Sequence, residues 1–335
     1  MRIVVTGATG NVGTALLRRL AAGPDVRVHG VSRRRPDPVE PYAGVDWTPV
    51  DLAREGAEEV LSGVFADADA VVHLAWKIQP GRDETALFRT NVAGSDRVFH
   101  AAVAAGVRHL VHLSSVGAYS PAVKDRPKDE TWPTDGVRTS AYSRHKAAVE
   151  RILDGLERDH PDLVVSRVRP GLILQPEAAS ELRDYFLGPL VPTWLFRTRV
   201  PLVPLPDNLV LQFVHADDVA DALALLVRER IGGAVNLAAE PVLTPRDLAA
   251  ALGGRRVPLS PSVLRFLVGL TWRLRLHPSP PGWLDLALTT PVLDTTKARD
   301  LGWKPRHDAR STLRALVKAM GVQAAHKGSP PLDKG

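Results

Sequence analysis

Cysteine is absent from all 335 residues of the chain. Disulfides and thiolate chemistry are therefore excluded, and a cytoplasmic setting is the expectation. Long apolar runs are missing as well. The opening "MRIVVTG" has one charge and a short apolar stretch before glycine, so no signal peptide is expected. The most apolar helical stretch, "SVLRFLVGLTWRLRL" at 262–276, is interrupted by Arg265, Arg273 and Arg275. It is too short and too charged to be an integral membrane segment. It reads first as an amphipathic helix over an apolar groove and second as a helix lying on a lipid surface. A basic cluster is also lacking: 43 Lys+Arg against 37 Asp+Glu leave a net charge of +6, with both signs scattered along the chain. No nucleic-acid partner is expected from that pattern. No internal repeat and no metal-ligand spacing stand out.

What is present is an alternation. "RIVVTG", "DVRVHGVSR", "VDWTPVDL", "ADAVVHLAW", "VRHLVHLSSV" and "LVVSRVRP" read as strands, separated by helical stretches such as "NVGTALLRRLAAG" and "SAYSRHKAAVERILDGLERDH". Strand–helix alternation of this kind implies βαβ units and a parallel sheet with helices on both faces. The expected fold is α/β: a Rossmann-like, doubly wound parallel sheet with a smaller, discontinuous C-terminal substrate lobe. After Pro170 proline becomes dense and the rhythm breaks. The expected division is a nucleotide-binding half over 1–170, with 208–239 returning to it, and a substrate lobe from 171–207 and 240–322. Residues 323–335 read as a disordered tail.

The first strand runs into Thr6-Gly7-Ala8-Thr9-Gly10-Asn11-Val12-Gly13 and then a helix. Glycines at that junction allow a tight turn and close approach to a pyrophosphate, which the helix N-terminus favours. Gly7, Thr9, Gly10, Asn11, Val12 and Gly13 are thus candidate dinucleotide-binding residues. About 20 positions further on, a dinucleotide fold places the residue that reads the adenosine ribose. Here that position falls on Ser32-Arg33-Arg34, with no acid before Asp37. Guanidinium groups suit a 2′-phosphate, so Arg33 and Arg34 point to NADP(H) in preference to NAD(H), which stays open. A solvated turn is the other reading of the arginines.

Tyr142 and Lys146 are spaced i, i+4, one turn apart on one helix face. An ammonium beside a phenol lowers the tyrosine pKa from about 10 toward working pH, which suits a general acid–base. Upstream, Ser114 and Ser115 end a buried strand, where ligands sit in open α/β sheets. A serine hydroxyl there can hold the substrate oxygen for Tyr142.

With these features in order, the chain resembles the extended short-chain dehydrogenase/reductases, the NAD-dependent epimerase/dehydratase family, over roughly residues 1–320. The resemblance rests on "TGATGNVG", "VDL" at 50–52, "VVHLA" at 71–75, "NVAGS" at 91–95, "LSSVGAYS", "YSRHK", "RPGLIL" at 169–174, "FVHADDVADAL" at 213–223, "NLAAEPVLTPRDLA" and "ARDLGWKP". It implies catalytic places for Ser115, Tyr142 and Lys146, with Tyr142 and Lys146 also meeting the cofactor. It implies Asp51 and Leu52 at the adenine, and Leu74 and Ala75 along the ribose and phosphates. Asn91 would support the active-site helix and Pro170 would meet the nicotinamide amide. His215 and Asp218 would be structural, and a homodimer through helices near 92–105 and 141–157 is common in such proteins.

Sugar 4,6-dehydratases carry an Asp-Glu pair where this chain has Val116-Gly117. Leu172 stands where many sugar-nucleotide members have asparagine, and Gln175 where glycine is usual. Trp194, Phe196, Trp272 and Trp283 fall in the lobe and would suit an apolar pocket. The leading expectation is therefore an NADP(H)-dependent ketone or aldehyde reductase, or alcohol dehydrogenase, on a small to moderately apolar substrate. A sugar-nucleotide epimerase with bound NAD is the alternative. A non-catalytic NADP(H)-sensing protein is the alternative of another class.

Overall fold

The computed structural model describes residues 1–23, 25–78, 82–186, 188 and 200–322. β1 (Arg2–Thr6) leads to α1 (Asn11–Ala21), β2 (Arg27–Ser32) and β3 (Asp46–Pro49). α2 (Ala57–Phe65) returns the chain to β4 (Ala70–His73); α3 (Glu84–Phe88) and α4 (Gly94–Ala104) then lead to β5 (His109–Leu113). α5 (Ala141–Asp159) precedes β6 (Val164–Pro170) and β7 (Leu172–Leu174). α6 (Ala179–Phe186), β8 (Leu202–Leu205), β9 (Leu211–His215), α7 (Ala216–Glu229) and β10 (Gly233–Leu237) follow. The chain ends in β11 (Ala239–Leu243), α8 (Pro245–Ala251), β12 (Arg255–Pro258), α9 (Pro261–Arg273), α10 (Gly282–Thr289), α11 (Thr296–Asp300) and α12 (Ala309–Val322).

Seven strands form one parallel sheet in the order β3-β2-β1-β4-β5-β6-β10. Its central strands are apolar on both faces because helices cover both. α1 and α7 pack on one side, where Ile3, Val5, Val72 and Val111 meet Leu16, Leu223 and Leu226. On the other side Val4, Val71 and Leu110 meet Leu61 and Phe65 of α2, Phe99 of α4 and Leu153 of α5. From β1 the chain winds outward to β2 and β3, whereas β4, β5 and β6 extend the other way. The crevice at the carboxyl ends of β1 and β4 is this reversal point, the ligand site of open α/β sheets.

The return expected for 208–239 is made by α7 and β10. β9 instead joins a second sheet, β11-β9-β7, because Phe213 packs with Leu174, Ala239 and Leu243 against Leu316 and Met320 of α12. β12 pairs with β8. Trp194, Phe196 and the tail 323–335 lie outside the described residues.

Leu223 is fully buried between α7 and the sheet. Leu223→Ala should therefore cost about 2–5 kcal/mol, read as a lower urea midpoint with an unchanged slope.

Candidate active site

The glycine turn is built by close backbone approach. Gly7 has φ +72°, and a Cβ there would lie 2.6 Å from the Ala75 nitrogen, so the end of β1 can run against the chain leaving β4 only with glycine. A Cβ on Gly13 would come within 2.3 Å of the Gly7 carbonyl oxygen, inside the first turn of α1. That turn carries no acidic residue, and Gly10 precedes it without a side-chain cap. The first N–H groups of α1 and its positive end are thus left for an anion. A cleft of about 160 Å³ opens beside them, lined by Gly7, Thr9, Gly10, Ser32, Arg33, Asp51, Leu52, Leu74 and Ala75. The turn, the anion-favouring helix end and the strand-end wall fit a dinucleotide.

Other expected cofactor residues have different partners. Asn11 accepts from Gln175 Nε2 at its carbonyl (2.8 Å) and side chain (2.5 Å), while Arg18 donates to Gln175 Oε1. Gln175, a departure by sequence, thus pins the start of α1 to the chain after β7. Val12 is in the core. The Arg34 carbonyl accepts from Ser32 Oγ at 2.7 Å. Pro170 pairs with Leu237 at the end of β6. Asn91 clamps the backbone of Lys77, accepting from its N–H at 2.7 Å and donating to its carbonyl at 2.9 Å.

Ser140 caps α5, which sets Tyr142 in its first turn and Lys146 and Glu150 on the following ones. Ser115 leaves β5 and accepts from the Gly117 N–H at 3.0 Å, and it hydrogen-bonds Tyr142. A Cβ on Gly117 would lie 2.8 Å from Tyr142 Cε1. A side chain at Gly117 would therefore have to push the Tyr142 ring aside. Tyr142 also contacts Trp283 (centroids 4.8 Å apart) and Trp76 (6.0 Å, edge-on), and Phe186 packs on Trp283. The pocket at Tyr142 shares Lys77 and Ile78 with the dinucleotide cleft, so the two adjoin.

The pairing of phenol and ammonium differs from the sequence expectation. Burial pushes the Tyr142 phenol up to about 12, opposed only by its bond to Ser115. The Lys146 ammonium instead donates to the Leu113 carbonyl at 2.8 Å and lies 3.4 Å from the Trp76 ring centroid. Burial drives its pKa well down, against the attraction of Glu150. Trp76 went unnoticed in the sequence; its only signal was a bulky residue directly after "VVHLA".

Below the pair lies a fully buried carboxylate. Glu150 accepts from Ser114 Oγ at 2.5 Å, from Arg169 Nε at 2.9 Å and Nη2 at 2.8 Å, and from Arg167 at 3.1 Å. Arg169 also donates to Tyr119, whose hydroxyl donates to Asn236 on β10. The sequence signal for Glu150 was an acid one turn beyond Lys146 on the same face.

A family model described as the NAD dependent epimerase/dehydratase family matches residues 3–238. The chain belongs to this family. These are the extended short-chain dehydrogenase/reductases. The chain is 28% identical over 325 residues to an uncharacterized protein of Mycobacterium tuberculosis (strain ATCC 25618 / H37Rv), covering 96% of this chain. The chain spans only 30% of that relative's length. It is 28% identical over 318 residues to a UDP-glucose 4-epimerase of Mycolicibacterium smegmatis, covering 91% of this chain and 94% of that protein. The Thermus thermophilus UDP-glucose 4-epimerase, solved in complex with NAD, has the same fold, with a TM-score of 0.71 and 22% identity over 96% of this chain and 99% of that one.

His215 and Asp218, also expected from the family resemblance, lie away from Ser115, Tyr142 and Lys146. His215 Nδ1 accepts from the Asp217 N–H and caps α7. Asp218 accepts from the backbone N–H groups of Arg306 and His307, fastening the C-terminal segment. His215, Asp217 and His307 bring candidate ligand atoms within 4.8 Å of one another. The two imidazoles stack, with centroids 4.0 Å apart and planes 22° from parallel. Their in-plane lone pairs run side by side instead of converging, so the group does not form a metal centre.

Two outcomes follow from this geometry. Burial raises Glu150's pKa, yet Arg169, Ser114 and Arg167 together hold it below the ordinary carboxylate range. Its contribution is fully present above the unfolded value of about 4.3 and is lost as pH falls through the folded value. Glu150→Gln should lose about 3–5 kcal/mol at neutral pH and show a shallower acid limb than wild type in denaturation series taken down to acid pH. In an ultraviolet difference titration of wild type against Tyr142→Phe, Tyr142 should stay un-ionised until pH nears 12.

Proposed function

We propose that this enzyme oxidises and re-reduces an alcohol carbon of a sugar nucleotide, an epimerase-type reaction with NAD retained through the cycle. The observation that carries the reading is the likeness, along nearly the whole length of both chains, to a UDP-glucose 4-epimerase. The Ser115–Tyr142 pair adjoining the dinucleotide cleft supports the chemistry. A bound nicotinamide supplies the hydride acceptor. Ser115 Oγ holds the substrate oxygen, and Tyr142 Oη takes the hydroxyl proton on oxidation and returns it on reduction. Lys146 serves this cycle when its ammonium shifts from Leu113 and Trp76 toward the phenol, lowering a pKa that burial otherwise keeps high. The segments 171–207 and 240–322 would hold the rest of the substrate, with Trp283 facing the reacting carbon.

The NADP(H)-linked carbonyl reductase becomes the second reading, favoured by two observations. Arg33 lines the cleft at the end of β2, and the chain there has no acid before Asp37. Trp76, Trp283 and Phe186 give the phenol an apolar surround.

Heat-denaturing the purified enzyme and identifying the released nucleotide separates the readings. The first expects NAD near one per chain, together with interconversion of UDP-glucose and its C4 epimer. Tyr142→Phe should slow turnover by about 10²–10⁴-fold while retaining the nucleotide. An enzyme that emerges empty and oxidises NADPH, in preference to NADH, with apolar ketones assigns the second reading.

A further inference from the structure

α9 is a 13-residue helix with no buried residue. Val263, Phe266, Leu267, Leu270 and Leu274 are exposed, Phe266 by 67% and Leu274 by 60%. At about 3.6 residues per turn these five fall within roughly a 100° arc of the helix. Leu276, half exposed, extends the stripe past the helix end. The opposite side is fastened to the protein. Arg265 pairs with Asp285 through both Nε and Nη2, and Arg82 donates to the Trp272 carbonyl while stacking on its ring at 4.5 Å. The apolar stripe is thus an outward face held by a fixed inner one. Contiguous apolar patches of this kind are rare on surfaces that meet only water.

Charge chooses the partner. From residue 248 to residue 284 the chain has five arginines and no acidic residue. Arg256 is neutralised by Asp207 and Arg265 by Asp285. Arg273 and Arg275 are exposed beside the stripe, with no carboxylate partner among the described residues. An apolar face flanked by unpaired guanidinium groups complements an anionic lipid surface. No helix among the described residues is long and apolar enough to cross a membrane, so the contact is a lying one.

We propose that α9 docks this enzyme on anionic lipid, with Phe266, Leu267 and Leu270 entering the acyl boundary and Arg273 and Arg275 meeting the headgroups. α10 follows α9 directly, and its Trp283 packs on Tyr142, so docking holds the lobe side of the site at the lipid surface.

Flotation of the full chain with phosphatidylcholine vesicles, with and without phosphatidylglycerol, tests the proposal, with light scattering on the lipid-free protein. Wild type should float with the phosphatidylglycerol vesicles and weakly with phosphatidylcholine alone. Phe266→Asp combined with Leu270→Asp should abolish flotation while leaving the melting temperature within the range of surface substitutions. Arg273→Glu and Arg275→Glu should each cut binding about fivefold or more, and added salt should do the same to wild type. Failure of wild type to float on anionic vesicles overturns the proposal, as does equal flotation of the aspartate variant. A wild-type dimer that the aspartates dissociate, without vesicle binding, assigns the face to a second copy of the chain and overturns it as well.

Discussion

Glu150 is the point at which the elements around Tyr142 are tied together. Its carboxylate joins α5, which carries Tyr142 and Lys146, to Ser114, the neighbour of Ser115, and to Arg167 and Arg169 on β6. Through Tyr119 and Asn236 the same network reaches β10 at the sheet edge. A carboxylate without solvent access is costly unless both oxygens are paired. Here four donated bonds, two to each oxygen, meet that demand. The chemistry-bearing side chains are consequently positioned by electrostatics that act only when three separate strands and one helix are in register.

Above this anchor the site is shaped by close approach. Gly7 against Ala75 brings the ends of β1 and β4 together, and Gly117 lets the Tyr142 ring lie on the turn after β5. Both contacts use the room a side chain would fill, which is why small residues sit there. The same closeness dries the phenol. Burial pushes the Tyr142 pKa up to about 12, and the Lys146 ammonium is engaged with a carbonyl and an indole face.

The Rossmann half was legible in the sequence because its signals are local: β-branched strands, the glycine turn, and Tyr142 and Lys146 one helical turn apart. The order of the seven strands comes from the structure. The sheet that β9 joins was not legible, since a short apolar strand pairs according to distant partners, here Phe213 with Ala239 and Leu172. Spacing placed Lys146 beneath Tyr142 correctly but could not show where a flexible ammonium would point. Leu113 and Trp76, which decide it, are 33 and 70 residues away along the chain. Gln175 looked like a lost glycine and is instead a cross-link to Asn11 and Arg18.

Trp283 connects these levels. It stands on α10, outside the sheet, and lies against Tyr142 and Phe186. Gly282 beside it packs on the backbone of Thr139 and Ser140, at the cap of α5, where a Cβ would come within 2.1 Å of the Thr139 oxygen. α10 therefore touches α5 at its first turn, the turn that carries Tyr142. α10 thus contributes to the burial that raises the Tyr142 pKa. The surround of the Tyr142 phenol is thus shared between α10 and the sheet through one indole ring.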